Sequence, residues 1–155
     1  MNTTNDSTTS TAMKIDTTDT TDAVLIAATL IAEDARLDFL PNLFGARLMM
    51  RAETLLFNWM GRLCTDYRGG YWLFYSLSNG GAYLAPKAGR MRVEVNTNGF
   101  EGEMSADAAG IVATLFMLCE LAEETELDEI IQLFHDLRDF AAEHAESSLI
   151  YSAIE

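Results

Sequence analysis

Two Asn-Gly pairs, Asn79-Gly80 and Asn98-Gly99, each sit between stretches in which side chains alternate with a period of two. Asn-Gly supplies the positive φ angles that a two-residue hairpin turn requires, so the chain is committed to antiparallel pairing at two places. The first pair predicts strands over residues 71–78 and 82–85. For the second, setting Thr97 opposite Phe100 pairs Val95 with Gly102 and Val93 with Met104. That register gathers Met91, Val93, Val95, Phe100 and Met104 on one apolar face and leaves Arg90, Arg92, Glu94, Glu101 and Glu103 on the other. A sheet with one wet side follows.

The remaining pattern is helical. From Ala46 to Cys64, the residues Leu48, Ala52, Leu55, Leu56, Trp59, Met60 and Leu63 recur at three and four, as on one face of an amphipathic helix. A short helix over residues 33–40 is expected to stop before Pro41, since proline disfavours the helical conformation in the residue ahead of it. Ser105 is placed to cap a helix with Asp107 in its first turn. Its segment 108–121 is apolar nearly all round, which predicts a buried centre, with Gly110 marking a close approach. A last helix is expected from Glu126 to about Glu146, introduced by Thr125 and Asp128 as an approximate capping box. Residues 23–32 fit either a buried strand or a short helix, their length favouring the strand. Together these elements predict an α+β fold, in which an antiparallel sheet built from two hairpins packs against several helices in a single compact domain over residues 23–155.

Residues 1–22 hold nine Thr and four Asp with little apolar content, which predicts a disordered tail. The longest uncharged apolar runs, 108–119 and 23–32, fall short of the roughly 20 residues a membrane-spanning helix needs. Only Lys14 supplies positive charge near the start, with no apolar region behind it, so no secretory signal is expected and the cytoplasm is the default location. Two cysteines 55 residues apart, Cys64 and Cys119, read as free core thiols. His135 and His144 lie nine apart on opposite sides of one helix, which is not metal-ligand spacing. No nucleophile elbow, zinc-protease motif or phosphate loop is present, so no catalytic residue, metal or cofactor is expected. A carboxyl pKa could rise where Glu94 faces Glu103, but no cleft is predicted around that pair.

Charge is the most informative quantity left. The formal net charge is −14, which opposes any coating of nucleic acid or anionic membrane by the overall field and favours basic partners. Its distribution is uneven: residues 1–40 carry −5, residues 41–100 carry +4 and residues 101–155 carry −13. On the last helix Glu129, Asp136, Asp139, Glu143 and Glu146 fall at helical spacing along one stripe. Such a stripe is a solvated face in most proteins; with a single sign of charge, it also suits contact with a basic surface by charge complementarity. Arg47, Arg51 and Arg62 form a second stripe, on the Trp59 helix, suited to binding phosphates or to pairing with acids of the same molecule. The aromatic residues Tyr71, Trp72, Phe74, Tyr75 and Tyr83 could stack bases but read first as sheet core.

The segments Arg68-Gly-Gly-Tyr-Trp-Leu-Phe-Tyr-Ser-Leu-Ser-Asn-Gly-Gly-Ala-Tyr-Leu-Ala-Pro86 and Asn98-Gly-Phe-Glu-Gly-Glu-Met-Ser-Ala-Asp-Ala-Ala-Gly-Ile-Val-Ala-Thr-Leu-Phe116 resemble the plasmid antirestriction family of the ArdB/KlcA type. Leu40-Pro-Asn-Leu-Phe-Gly45 and the helix around Trp59-Met60 fit the same pattern, so the resemblance runs from about Leu37 to the last helix. It implies a small cytosolic protein of a mobile element, with a compact α+β fold and no enzyme activity, that relieves restriction by the host's type I restriction-modification enzymes. The resemblance carries no interaction residues and no settled mechanism. Beneath it, three routes are open: the acidic stripe contacting the restriction enzyme directly or indirectly, the arginine stripe contacting DNA or a DNA–enzyme complex, and, least supported, a hydrolase. Oligomeric state is left open.

Overall fold

The structure, a computed structural model, describes residues 24–155, so the expected disordered segment over residues 1–22 lies outside the described residues. In chain order the elements are β1 (Ala28–Leu30), a 3-10 turn (Glu33–Ala35), α1 (Arg36–Leu63), β2 (Trp72–Leu77), β3 (Ala82–Pro86), β4 (Arg90–Val95), β5 (Phe100–Ser105), α2 (Ala106–Thr125), α3 (Asp128–Glu143) and α4 (Ser147–Ile154). The α+β class holds, but the two hairpins do not share a sheet. β1-β2-β3 form one antiparallel sheet and β4-β5 a separate ribbon. The segment left between strand and helix contains the edge strand β1, with Ala28 opposite Leu77 and Leu30 opposite Tyr75.

Both turns are longer than the two-residue loops expected from their Asn-Gly pairs. In the first, Gly80 N–H donates to Leu77 C=O at 3.0 Å and Leu77 N–H to Gly81 C=O at 2.9 Å, which makes a loop of Ser78, Asn79 and Gly80. Only Gly80 takes a positive φ, 99°, so Asn79 contributes its side chain rather than its backbone. In the second, Val95 opposes Phe100, Val93 opposes Gly102 and Met91 opposes Met104. The register therefore differs by two residues from the one expected. A shift of two leaves every side chain on its face, and Val93, Val95 and Met104 are buried as anticipated. It does change partners: Glu94 faces Glu101, not Glu103, and Arg92 reaches both Glu94 at 3.1 Å and Glu101 at 3.4 Å.

Pro41 does not end its helix. It sits inside α1, where its missing N–H forfeits one bond to the Leu37 carbonyl; Leu37 is 90% exposed, so water can satisfy that oxygen. The break comes instead at Gly45, with φ 79° and ψ 159°, and divides α1 into arms over residues 36–44 and 46–63. The second arm matches the amphipathic helix read from the sequence and buries Ala52, Leu55, Leu56, Met60 and Leu63.

At the centre is α2, with its Ser105 cap accepting from Ala108 N–H at 3.1 Å. Leu115, Leu118 and Leu121 are all but inaccessible, each such burial stabilising the fold by about 1.5–3 kcal/mol. Thr114 is buried too, and its hydroxyl lies 3.3 Å from both the N–H and the C=O of Leu84. Helix α3 starts later than expected because Thr125 still belongs to α2, donating to Leu121 C=O at 2.8 Å, and Glu126 turns left-handed with φ 55°. The expected last helix also ends early: α3 stops at Glu143, and α4 follows as a separate helix. Cys64 is buried, as expected, but Cys119 is exposed on α2.

Candidate functional site

The five acidic residues expected to share one helical stripe divide into two groups. Glu129 and Asp139 are exposed on α3, and no described residue bonds to or pairs with their side chains. The other three are engaged within the protein. Asp136 accepts from the Gln132 side chain at 2.8 Å, while its backbone carbonyl accepts from Asn79 Nδ2 at 2.9 Å, which seats the first hairpin turn on α3. Glu143 accepts the Ile26 N–H at 2.7 Å and so anchors the segment leading into β1. Glu146 lies beyond the end of α3, not on its stripe. It accepts the Ser105 N–H at 3.0 Å and the Ser105 hydroxyl, with Arg90 at 3.8 Å. Burial pushes its pKa up, but the Ser105 bonds and the nearby His144 and Arg90 outweigh this and hold it below the usual carboxylate value.

The arginine stripe is likewise split. Arg51 is bound by Glu124 of α2 through both Nε, at 3.0 Å, and Nη2. The guanidinium of Arg62 stacks on Trp59, 4.7 Å from the ring centroid. Arg47 is exposed, with no carboxylate partner among the described residues. Acids of the same molecule thus take one of the three cations, although the acid is Glu124 and neither Glu101 nor Glu103.

One cluster was not anticipated. Tyr83 of β3 donates to Asp107 Oδ1 at 2.8 Å, and His144, at the end of α3, lies 2.8 Å from Asp107 Oδ2 through Nε2. The Glu146 N–H donates to His144 Nδ1 at 2.9 Å, so the proton of the neutral imidazole sits on Nε2 and points at Asp107. Burial pushes the Asp107 pKa up. Bonds from His144 and Tyr83 more than reverse it, so the carboxyl lies below its ordinary value. Tyr75 stacks on Tyr83 at 4.7 Å, and burial followed by the Asp107 charge raises both phenols. Tyr75 and Tyr83 are direct cross-strand partners because the loop has three residues; the expected two-residue turn would have set Tyr75 opposite Leu84, and nothing in the sequence joins either tyrosine to His144.

Chemically the cluster is a clasp. Both nitrogens of His144 are already bonded and its side chain is only 12% exposed, which leaves no free lone pair to act on an outside group. Asp107 is the member that reaches an open cleft, of about 350 Å³, where Tyr75, Lys87, Arg90 and Ser105 also lie. Among the described residues no three His, Cys, Asp or Glu side chains converge as metal ligands would. Nor is any described helix long and apolar enough to cross a membrane.

Comparison with known proteins agrees with the resemblance in the sequence. The family described as antirestriction protein matches residues 65–155. The antirestriction protein KlcA of Escherichia coli is 56% identical over 137 residues, covering 84% of this chain and 94% of that protein. A protein of Escherichia coli strain K12 known as YfjX, itself uncharacterized, is 38% identical over 134 residues, covering 84% of this chain and 88% of its own. A solved structure superposes with a TM-score of 0.80 at 56% identity, covering 87% of this chain and 99% of the other. That work describes KlcA and ArdB as having a novel fold and antirestriction activity against type I DNA restriction systems in vivo but not in vitro. On sequence and fold alike, the chain belongs to the antirestriction protein family.

Proposed function

We propose that this protein relieves type I restriction in the cell without catalysing a reaction, by presenting exposed carboxylates of α3 to a basic partner. The observation that carries this reading is the charge of residues 101–155, −13, combined with the exposure of Glu129 and Asp139 and their lack of any partner among the described residues. A desolvated basic surface would gain most from carboxylates whose bonding capacity is unspent. The partner is the restriction enzyme or a host factor acting on it. Activity of KlcA and ArdB in vivo but not in vitro supports the indirect route, since a component missing from a purified assay would then be required. The alternative, DNA contact through Arg47, Arg51 and Arg62, is weakened by the engagement of Arg51 with Glu124.

The test is restriction of unmodified phage in a type I restricting host, at matched soluble levels of each variant. The double reversal Glu129→Lys/Asp139→Lys is expected to lose protection while keeping the fold, and Arg47→Ala/Arg62→Ala to keep it. Full protection by the reversal would remove the acidic-face mechanism, and loss confined to the arginine variant would favour DNA. Asp136, Glu143 and Glu146 are left intact, because their carboxylates already have partners within the protein and altering them would confuse the readout.

A further inference from the structure

We propose that the groove between the two arms of α1 is a docking site for a short segment of another protein, one that presents an apolar side chain with a carboxylate beside it. The break at Gly45 folds the arms into a concave face, and Leu37, Leu40, Pro41, Met49 and Met50 line it together with Phe74 of β2. Leu37 is 90% and Met50 65% exposed, so this apolar surface is uncovered by any described residue. The cavity measures about 240 Å³. Small-molecule pockets run from about 300 Å³ upward, so this one suits a single anchoring side chain from a larger partner. Adjacent methionines make the lining adaptable in shape.

Arg36 sets the polarity of the occupant. Its guanidinium carbon lies 4.5 Å from the Tyr71 ring centroid and 4.1 Å from that of Phe74, held between two aromatic faces at the edge of the groove. No described carboxylate forms an ion pair with it. In a chain of net charge −14 this is an oriented fork donor with no ion-pair partner among the described residues, although Glu33 bonds the neighbouring Tyr71 hydroxyl, and it stands beside an apolar cavity, the arrangement that recognises a carboxylate next to a buried side chain. Glu53, also in the lining, disfavours a second acid in the segment. Holding the guanidinium in place beforehand lowers the ordering cost of binding. This site is separate from the acidic face of α3 and does not depend on it.

The full chain is titrated with the peptide acetyl-Ala-Asp-Leu-Leu-Ala-amide and with its Lys-for-Asp counterpart, while the methyl resonances of Met49 and Met50 are followed by NMR. Saturable shifts are expected with the Asp peptide, weakened about tenfold by the Lys exchange and about tenfold by Arg36→Gln. Leu37→Lys, at a solvent-facing position that leaves the fold alone, should abolish them. Equal binding of the two peptides, or no shift with either, overturns the proposal. It is equally overturned if deleting residues 1–22 moves the same resonances in the free protein, since the chain's own segment would then fill the groove, or if dilution moves them, since a second copy would. Peptide affinity is read without any restriction assay, so failure here and failure of the acidic-face mechanism are distinguishable.

Discussion

Gly110 of α2 meets Ala85 of β3 with no room for a side chain between them: a β-carbon on Gly110 would lie 2.5 Å from Ala85 Cα, from Ala85 Cβ and from the Leu84 carbonyl oxygen. Two of these are backbone atoms of a buried strand, which cannot swing aside. Gly110→Ala should therefore destabilise the protein by about 1–3 kcal/mol or more, although alanine is the better helix former. A denaturant midpoint equal to or above that of the wild type would contradict this packing.

The Asp107 clasp ties stability to acid pH. Its carboxyl has a lower pKa folded than unfolded, so its contribution is present above about pH 4, the unfolded value, and is lost as pH falls through the folded one. Asp107→Asn should lower the melting temperature at pH 7 and shrink its fall between pH 5 and pH 3. Parallel melting curves for the two proteins across that range would show that the clasp is not what titrates.

Glu143 anchors the start of the three-stranded sheet through the Ile26 N–H. Glu143→Ala removes the acceptor, and the Ile26 amide should exchange with solvent roughly fivefold faster, the equivalent of about 1 kcal/mol, with little change in global stability. Unchanged exchange at Ile26 would mean the bond is not maintained in solution.

Neither thiol is primed for reaction. Burial, with a contribution from Asp66, pushes Cys64 up to about 11, and burial with Glu123 and Glu120 also raises Cys119. At pH 7.5 an alkylating reagent should label Cys119 slowly and Cys64 only on unfolding, and the Cys119 rate should still be climbing above pH 9. A plateau below pH 8 for Cys119 would disprove the raised value.

How much of this was legible in the sequence follows from the range of the forces involved. Periodicities of two and 3.6 record which side of an element is buried, so the faces of the second hairpin, the second arm of α1 and the buried centre of α2 could all be read locally, whereas the first hairpin, its loop one residue longer than its Asn-Gly pair suggested, slipped by one. Local rules misplaced the breaks. Pro41 reads as a stop but costs only one bond near a helix start, whereas the break falls four residues on, at Gly45. The candidate site was less legible for a related reason. A stripe of acids on one helix cannot reveal that Glu143 meets an amide 117 positions away, or that Glu146 is bound to Ser105. Only the folded chain distinguishes acids already used from Glu129 and Asp139, which are not.

The two-residue offset at the second turn also bears on how relatives of this protein can vary. A register slip of two slides one strand along the other yet returns every methyl group to the interior, whereas a slip of one would turn Val93 and Val95 out into water and Glu94 inward. Burial of Val93, Val95 and Met104 therefore holds the pairing, and residues added to or removed from the 96–99 loop change the length of the loop and not the side of the ribbon that faces the core.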